Sequence, residues 1–69
     1  MKQVSYLGYV ITATAKNESS WRSHAIITWY AGKFEIYDDV TFTTEREAEE
    51  HAIELGKNWV NNRLQSLQG

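Results

Sequence analysis

The chain has no cysteine among its 69 residues, and its four glycines, at positions 8, 32, 56 and 69, never cluster. The first absence excludes disulfide bonds and thiolate metal sites, and the second excludes a glycine-rich phosphate-binding loop. No apolar run approaches the roughly 20 residues of a membrane span, and the first residues lack the apolar core and cleavage site of a signal peptide. The sequence therefore predicts a single soluble, cytoplasmic domain over residues 1–69.

The small size of the chain limits its core. A chain of this length buries only about 60% of the surface that its unfolded form exposes, so its core must come from aromatic side chains or from a second subunit. We therefore expect Trp21, Trp29 and Trp59 to be structural. The net charge of -2 disfavours general attraction to nucleic acid, but it is unevenly spread: residues 1–37 carry +2 and residues 38–69 carry -4.

Three segments have the alternation and the β-branched and aromatic content of strands. They are residues 4–16, residues 21–30, and a third that runs from Phe34 to about Tyr37, with an extension to Phe42 left open. Short polar residues at 16–20 and the sequence AGK at 31–33 predict the turns between them, the second through a positive φ angle at Gly32. The result is an antiparallel meander.

The strongest local signal is the start of a helix. Thr44 followed three residues later by Glu47 is a capping box, and apolar side chains from Ala48 to Leu67 then recur at helical spacing over about half the circumference. Gly56 lies on this apolar arc, which predicts a close approach between the helix and a strand.

The fold class predicted from these elements is α+β, a three-stranded antiparallel β-meander with one C-terminal α-helix packed on one face (β-β-β-α). The predicted core comprises Leu7, Tyr9, Ile11, Ala25, Ile27, Trp29, Phe34, Ile36, Ala52, Leu55 and Trp59.

The passage FTTEREAEEHAIELGKNWVNNRL resembles the helix of small bacterial β-β-β-α domains, which are distantly similar to HicB-like antitoxins and share a partial dsRBD-like fold. The residues that carry the resemblance are Thr44, Glu47-Ala48, Ala52 and Trp59. The resemblance implies the strand-strand-strand-helix order and, through the antitoxin branch, a binding role. The remaining small bacterial domains of this kind imply no activity.

Candidate catalytic groups are few. His51 lies near Glu47 and Glu54 on the polar helix face, but no second histidine or cysteine supplies a matching metal ligand, so we expect it to face water. Ser23 and His24 are neighbours in a strand and point to opposite faces. Asp38-Asp39 could hold a hard cation, but the pair is more typical of a bulge or turn at the end of the third strand. The sequence therefore predicts a non-enzymatic protein with no metal and no cofactor.

A single helix covers one side of the sheet, so the other side is the predicted interaction surface. Its candidate residues are Val10, Arg22, His24, Ile26, Tyr30 and Tyr37. In one interpretation this face, or a strand edge, pairs with a second copy or another protein, giving a regulatory or interaction module that is a homodimer.

Three alternatives stay open. Tyr30 and Tyr37 could stack nucleic-acid bases while Arg22, Lys16 and Lys33 contact phosphates. The face could also be an ordinary solvent-exposed side of a sheet, with scattered apolar residues and no binding role. In the last alternative the chain is a phage or mobile-element inhibitor of a host protein, acting through an acidic helix face formed by Glu47, Glu50 and Glu54.

Overall fold

The computed structural model describes residues 1–17 and 19–68. Within these residues the strands form one antiparallel sheet in the order β1-β2-β3-β4, followed by one C-terminal helix. The α+β class and the helix are therefore as predicted, but the sheet has four strands and not three. The elements are β1 (Lys2–Tyr6), β2 (Tyr9–Asn17), β3 (Trp21–Trp29), β4 (Gly32–Phe42) and α1 (Glu45–Gln68).

The predicted strand over residues 4–16 is in fact a hairpin. Leu7 and Gly8 have φ angles of 51° and 86°, and Tyr6 pairs with Tyr9 across them. Two consecutive positive φ angles are the requirement of a type I′ turn, whose twist matches that of the flanking strands. The pattern missed this turn because leucine rarely adopts the left-handed conformation. Leu7 is consequently 60% exposed, and its predicted place in the core is wrong.

The turn between β3 and β4 lies one residue earlier than predicted. Trp29 pairs with Gly32, so Tyr30 and Ala31 form the two-residue connection, and Gly32 begins β4 without a positive φ angle. Tyr30 is therefore fully exposed in a turn and does not lie on the face of a strand.

The last strand continues through Asp38-Asp39 to Phe42, in agreement with the extension to Phe42 that the sequence left open. Tyr37 pairs with His24 and Thr41 pairs with Arg22, so the three residues 38–40 of β4 lie opposite the single residue Ser23 of β3. This is the bulge expected of the acidic pair, but it interrupts the strand without ending it.

The core lies between the helix and the inner face of β2 and β3. Most of the predicted core residues are buried or pack against it. Phe34 is 45% exposed, because β4 is an edge strand that the helix covers much less than it covers β2 and β3. The buried cluster comprises Tyr9, Ile11, Ala13, Ala25, Ile27, Ala52, Ile53 and Val60.

Gly56 lies where the helix approaches β2. A Cβ atom at this position would lie 2.6 Å from Cγ2 of Ile11, which is closer than carbon atoms pack. Because Ile11 is fully buried, it has little room to move away. The predicted close approach is confirmed.

The helix begins at its predicted cap. Thr44 Oγ1 accepts a hydrogen bond from the backbone N–H of Glu47 at 3.2 Å. The Glu47 carboxylate in turn accepts hydrogen bonds from the hydroxyls of Thr43 and Thr44, at 3.0 and 2.9 Å. Glu47 is therefore part of the cap, where its charge also opposes the positive end of the helix dipole.

Candidate interaction surface on the outer sheet face

The face of the sheet opposite the helix is built from alternate residues of all four strands. The register aligns them in four rows across the sheet. From the bulge end the rows are Lys16, Arg22 and Thr41; Thr14, His24 and Tyr37; Gln3, Thr12, Ile26 and Glu35; and Ser5, Val10, Thr28 and Lys33. These residues form the outer face of the sheet.

Five of the six predicted interaction residues lie on the outer face, and Tyr30 does not. Tyr37 is 73% exposed and Val10 is 37% exposed. Ile26 and His24 are half-buried by their neighbours, and Arg22 is exposed. Apolar side chains therefore lie among threonine hydroxyls and charges of both signs.

His24 is held in place on three sides. Thr14 Oγ1 lies 3.1 Å from its Nδ1 atom, and Glu35 Oε1 lies 3.2 Å from its Nε2 atom. The ring also stacks on Tyr37, with 4.2 Å between centroids and 9° between planes. Since these partners fix the imidazole, the His24–Tyr37 stack is a rigid aromatic platform on an otherwise flat surface.

A pocket of about 200 Å³ opens where the bulge separates β3 from β4. Arg22 lines it, and the Arg22 side chain makes no hydrogen bond or ion pair with the described residues. The aromatic platform forms one wall. The full lining is Lys16, Arg22, Ser23, His24, Tyr37, Asp38 and Asp39.

On the helix side of the bulge, His51 binds Asp38. His51 Nε2 lies 2.7 Å from Asp38 Oδ2, and Asp38 Oδ1 accepts a hydrogen bond from the backbone N–H of Val40 at 3.0 Å. The hydrogen bond from His51 and then that from Val40 hold the pKa of the Asp38 carboxyl below its usual value. The expectation that His51 faces water is wrong, because it connects the helix to the bulge of β4.

The predicted acidic helix face is partly occupied within the chain. Glu47 belongs to the helix cap, and Glu50 pairs with Arg46 one turn earlier at 3.2 Å. Glu54 is exposed. Two of these three carboxylates are therefore already engaged by neighbours, which reduces the charge that a partner could meet.

The geometry does not bring Ser23 and His24 together. Ser23 is 2% exposed on the inner face and donates a hydrogen bond to the carbonyl oxygen of Ala48 at 2.6 Å, while His24 lies on the outer face. Over residues 1–17 and 19–68, no group of three His, Asp or Glu side chains is placed to hold a metal ion.

Arg63 was missed by the sequence reasoning. Its guanidinium lies 4.9 Å from the ring centroid of Trp29 and 5.6 Å from that of Trp59, and its Nε–H donates to the hydroxyl of Tyr9 at 3.2 Å. Its position four residues after Trp59 was the available signal, because residues at that spacing meet on a helix surface. The contact is structural, since it closes one end of the core.

Comparison with protein-family models, with curated proteins and with solved structures found no match to this chain. The resemblance to small bacterial β-β-β-α domains therefore stays a prediction from the helix residues. In the part of the chain that the structure describes, no helix combines the length and the apolar character that crossing a membrane requires.

Proposed function

We propose that this chain is a small non-enzymatic protein-interaction domain that associates with a second copy of itself through the outer face. The observation that carries the proposal is the aromatic platform of His24 and Tyr37, exposed on the face that the helix leaves bare. Val10 and Ile26 add apolar surface next to it. Exposed aromatic residues on a rigid support are the residue type that most often anchors a protein interface.

The area of the outer face limits how much surface a dimer could bury. Four strands about 4.8 Å apart and four rows about 6.8 Å apart give roughly 500 Å² per copy. Two copies would bury about 1,000 Å², at the lower limit for a specific interface. The chain exposes 4647 Å², close to the roughly 4,450 Å² of a compact monomer of its mass. The small buried area favours a reversible dimer, and the exposed area of the single chain agrees with a chain that also folds alone.

The charges favour pairing of face with face. In a twofold dimer the same surface meets itself, so it must carry both signs. The outer face carries Lys16, Arg22 and Lys33 as cations and Glu35 as an anion. Pairing through the edge of β4 is disfavoured, because charged residues and the bulge interrupt that edge.

Analytical ultracentrifugation over a wide concentration range tests the proposal. We expect the sedimentation coefficient of the wild-type chain to rise with concentration, and we expect Tyr37→Asp to sediment as a monomer at every concentration. Tyr30→Asp is the matched control, because it alters a fully exposed tyrosine that lies outside the outer face. Thermal scans of both variants report whether they are folded.

Two results would exclude this dimer. A wild-type chain that stays monomeric up to millimolar concentration would remove self-association. If Tyr30→Asp prevented association as completely as Tyr37→Asp, the contact would lie elsewhere on the surface.

A further inference from the structure

The pocket at the bulge combines three features that a ligand could use. It has a flat aromatic wall, an exposed cation and a volume of about 200 Å³. His24 covers one face of the Tyr37 ring. Tyr37 lies on β4, which is an edge strand of the sheet, and it is 73% exposed. A second planar group can therefore stack on its uncovered face.

The exposed cation is Arg22. It lies one row from the aromatic platform, two residues before His24 in β3, which is about 6.8 Å along the strand. Its guanidinium presents several N–H donors in one plane, which is the geometry that binds phosphate oxygens in pairs. The Arg22 side chain makes no hydrogen bond or ion pair with the described residues, so binding an anion would not displace an existing partner among them.

The nearby carboxylates limit how much negative charge the pocket can accept. Asp38 already binds His51 and the backbone N–H of Val40. Asp39 is exposed and would repel an extended polyanion. Lys16 lines the same pocket. A ligand with one phosphate fits this balance better than a long stretch of phosphates.

We propose that this pocket binds a nucleotide, with the base stacked on Tyr37 and the phosphate on Arg22. The base and the phosphate of one nucleotide are joined through a single sugar, a span comparable to the separation of the two side chains. The ligand could be a free nucleotide or one unit of a single strand. The dimer proposed above would cover Tyr37, so nucleotide binding and self-association through the outer face exclude each other.

Isothermal titration calorimetry of the dilute full chain with uridine monophosphate, adenosine monophosphate, hexauridylate and inorganic phosphate tests the site. Base stacking on an aromatic side chain predicts that Tyr37→Leu, which keeps the apolar bulk, weakens nucleotide binding roughly tenfold. Arg22→Gln should weaken binding of all the nucleotide probes and, for hexauridylate, reduce the slope of log K against log salt by about 0.7. Tyr30→Leu is the matched control and should bind like the wild type. Circular dichroism melts confirm that each variant is folded.

The two sources of the ligand give different results. Hexauridylate binding much more tightly than uridine monophosphate, with the same loss in Tyr37→Leu, supports a single strand as the ligand. Equal affinity per site supports a free nucleotide. The site is overturned if none of the nucleotide probes binds at millimolar concentration, or if Tyr37→Leu and Arg22→Gln bind as the wild type does. It is also overturned if inorganic phosphate binds as tightly as the mononucleotides.

Discussion

The two faces of the sheet are made by neighbouring residues of the same strands, yet they obey different constraints. On the inner face Ile11, Ala13, Ala25 and Ile27 have no exposed surface, and the helix comes close enough to need a glycine. On the outer face Gln3 donates a hydrogen bond to Thr12, and Thr14 is hydrogen-bonded to His24, in both cases across neighbouring strands. The inner face therefore tolerates only substitutions that keep the side-chain volume. On the outer face, polar and aromatic side chains remain accessible to a partner.

The largest expected contrast is between Ile26 and Ile27, which are adjacent in β3 and lie on opposite faces. Ile27→Ala should lower the free energy of unfolding by about 2–5 kcal/mol, because it leaves a cavity in a close-packed core. Ile26→Ala should cost less than about 1 kcal/mol, since Ile26 is only half-buried. Urea unfolding measures both, and equal losses would mean that the two faces are not distinct.

Gly56→Ala tests the close approach of the helix to the inner face. Alanine favours a helix by about 1 kcal/mol over glycine, but its Cβ would lie 2.6 Å from Cγ2 of Ile11. Overpacking of this kind typically costs about 1–3 kcal/mol, so we expect a net loss of stability.

The background Ile11→Ala provides the control for this variant. It removes the atoms that the new Cβ would meet, so Gly56→Ala should become neutral or stabilising there. Thermal unfolding of the two single variants and the double variant measures the coupling. A loss of stability in both backgrounds would show that Ile11 is not the cause.

The bulge of β4 should give a smaller, pH-dependent effect. The pKa of Asp38 in the folded chain lies below its ordinary value of 3.8, so the stability that it contributes is present above that value. This contribution is lost as the pH falls through the lowered pKa of the folded chain. The difference in melting temperature between the wild type and Asp38→Asn should therefore be largest above about pH 4 and close in more acidic solution. Asp39→Asn, which lacks the His51 contact, is the control, and an equal pH dependence there would contradict the assignment.

The smallest expected effect lies in the β1–β2 turn, which belongs to neither face. Leu7→Asn should stabilise the chain by about 0.5–1 kcal/mol, because asparagine tolerates the left-handed conformation and Asn-Gly favours type I′ turns. Little apolar burial is lost, since Leu7 is 60% exposed. Leu7→Val should have the opposite effect, and chemical denaturation of the pair reports the sign. A lower midpoint for Leu7→Asn would contradict this account of the turn.

The sequence predicted those features that depend on local pattern. Thr44 and Glu47 mark the helix start, and the position of Gly56 on the apolar arc indicated a close approach that the geometry confirms. The split of the first strand could not be predicted in the same way, because Leu7 takes a conformation that its side chain disfavours. There the pairing of Tyr6 with Tyr9 and the rest of the sheet overrides local preference.

Some features of the candidate site could be predicted from local pattern and others could not. Strand alternation was enough to place Val10, Arg22, His24 and Ile26 on one face. The stack of His24 on Tyr37 and the pocket beside it depend on pairing across strands and on the bulge, which a single strand does not encode. Tyr30 was misplaced because the turn between β3 and β4 comes one residue earlier than predicted.

We propose that partners contact the outer face and that the inner face stabilises the fold. Amide chemical shifts in ¹⁵N–¹H correlation spectra, recorded from micromolar to millimolar protein, test this claim most directly. We predict concentration-dependent shifts at outer-face positions such as Val10, Ile26 and Tyr37, with the amides of Ala52, Gly56 and Val60 unchanged. Shifts confined to the helix, or no shifts at any concentration, would contradict the claim.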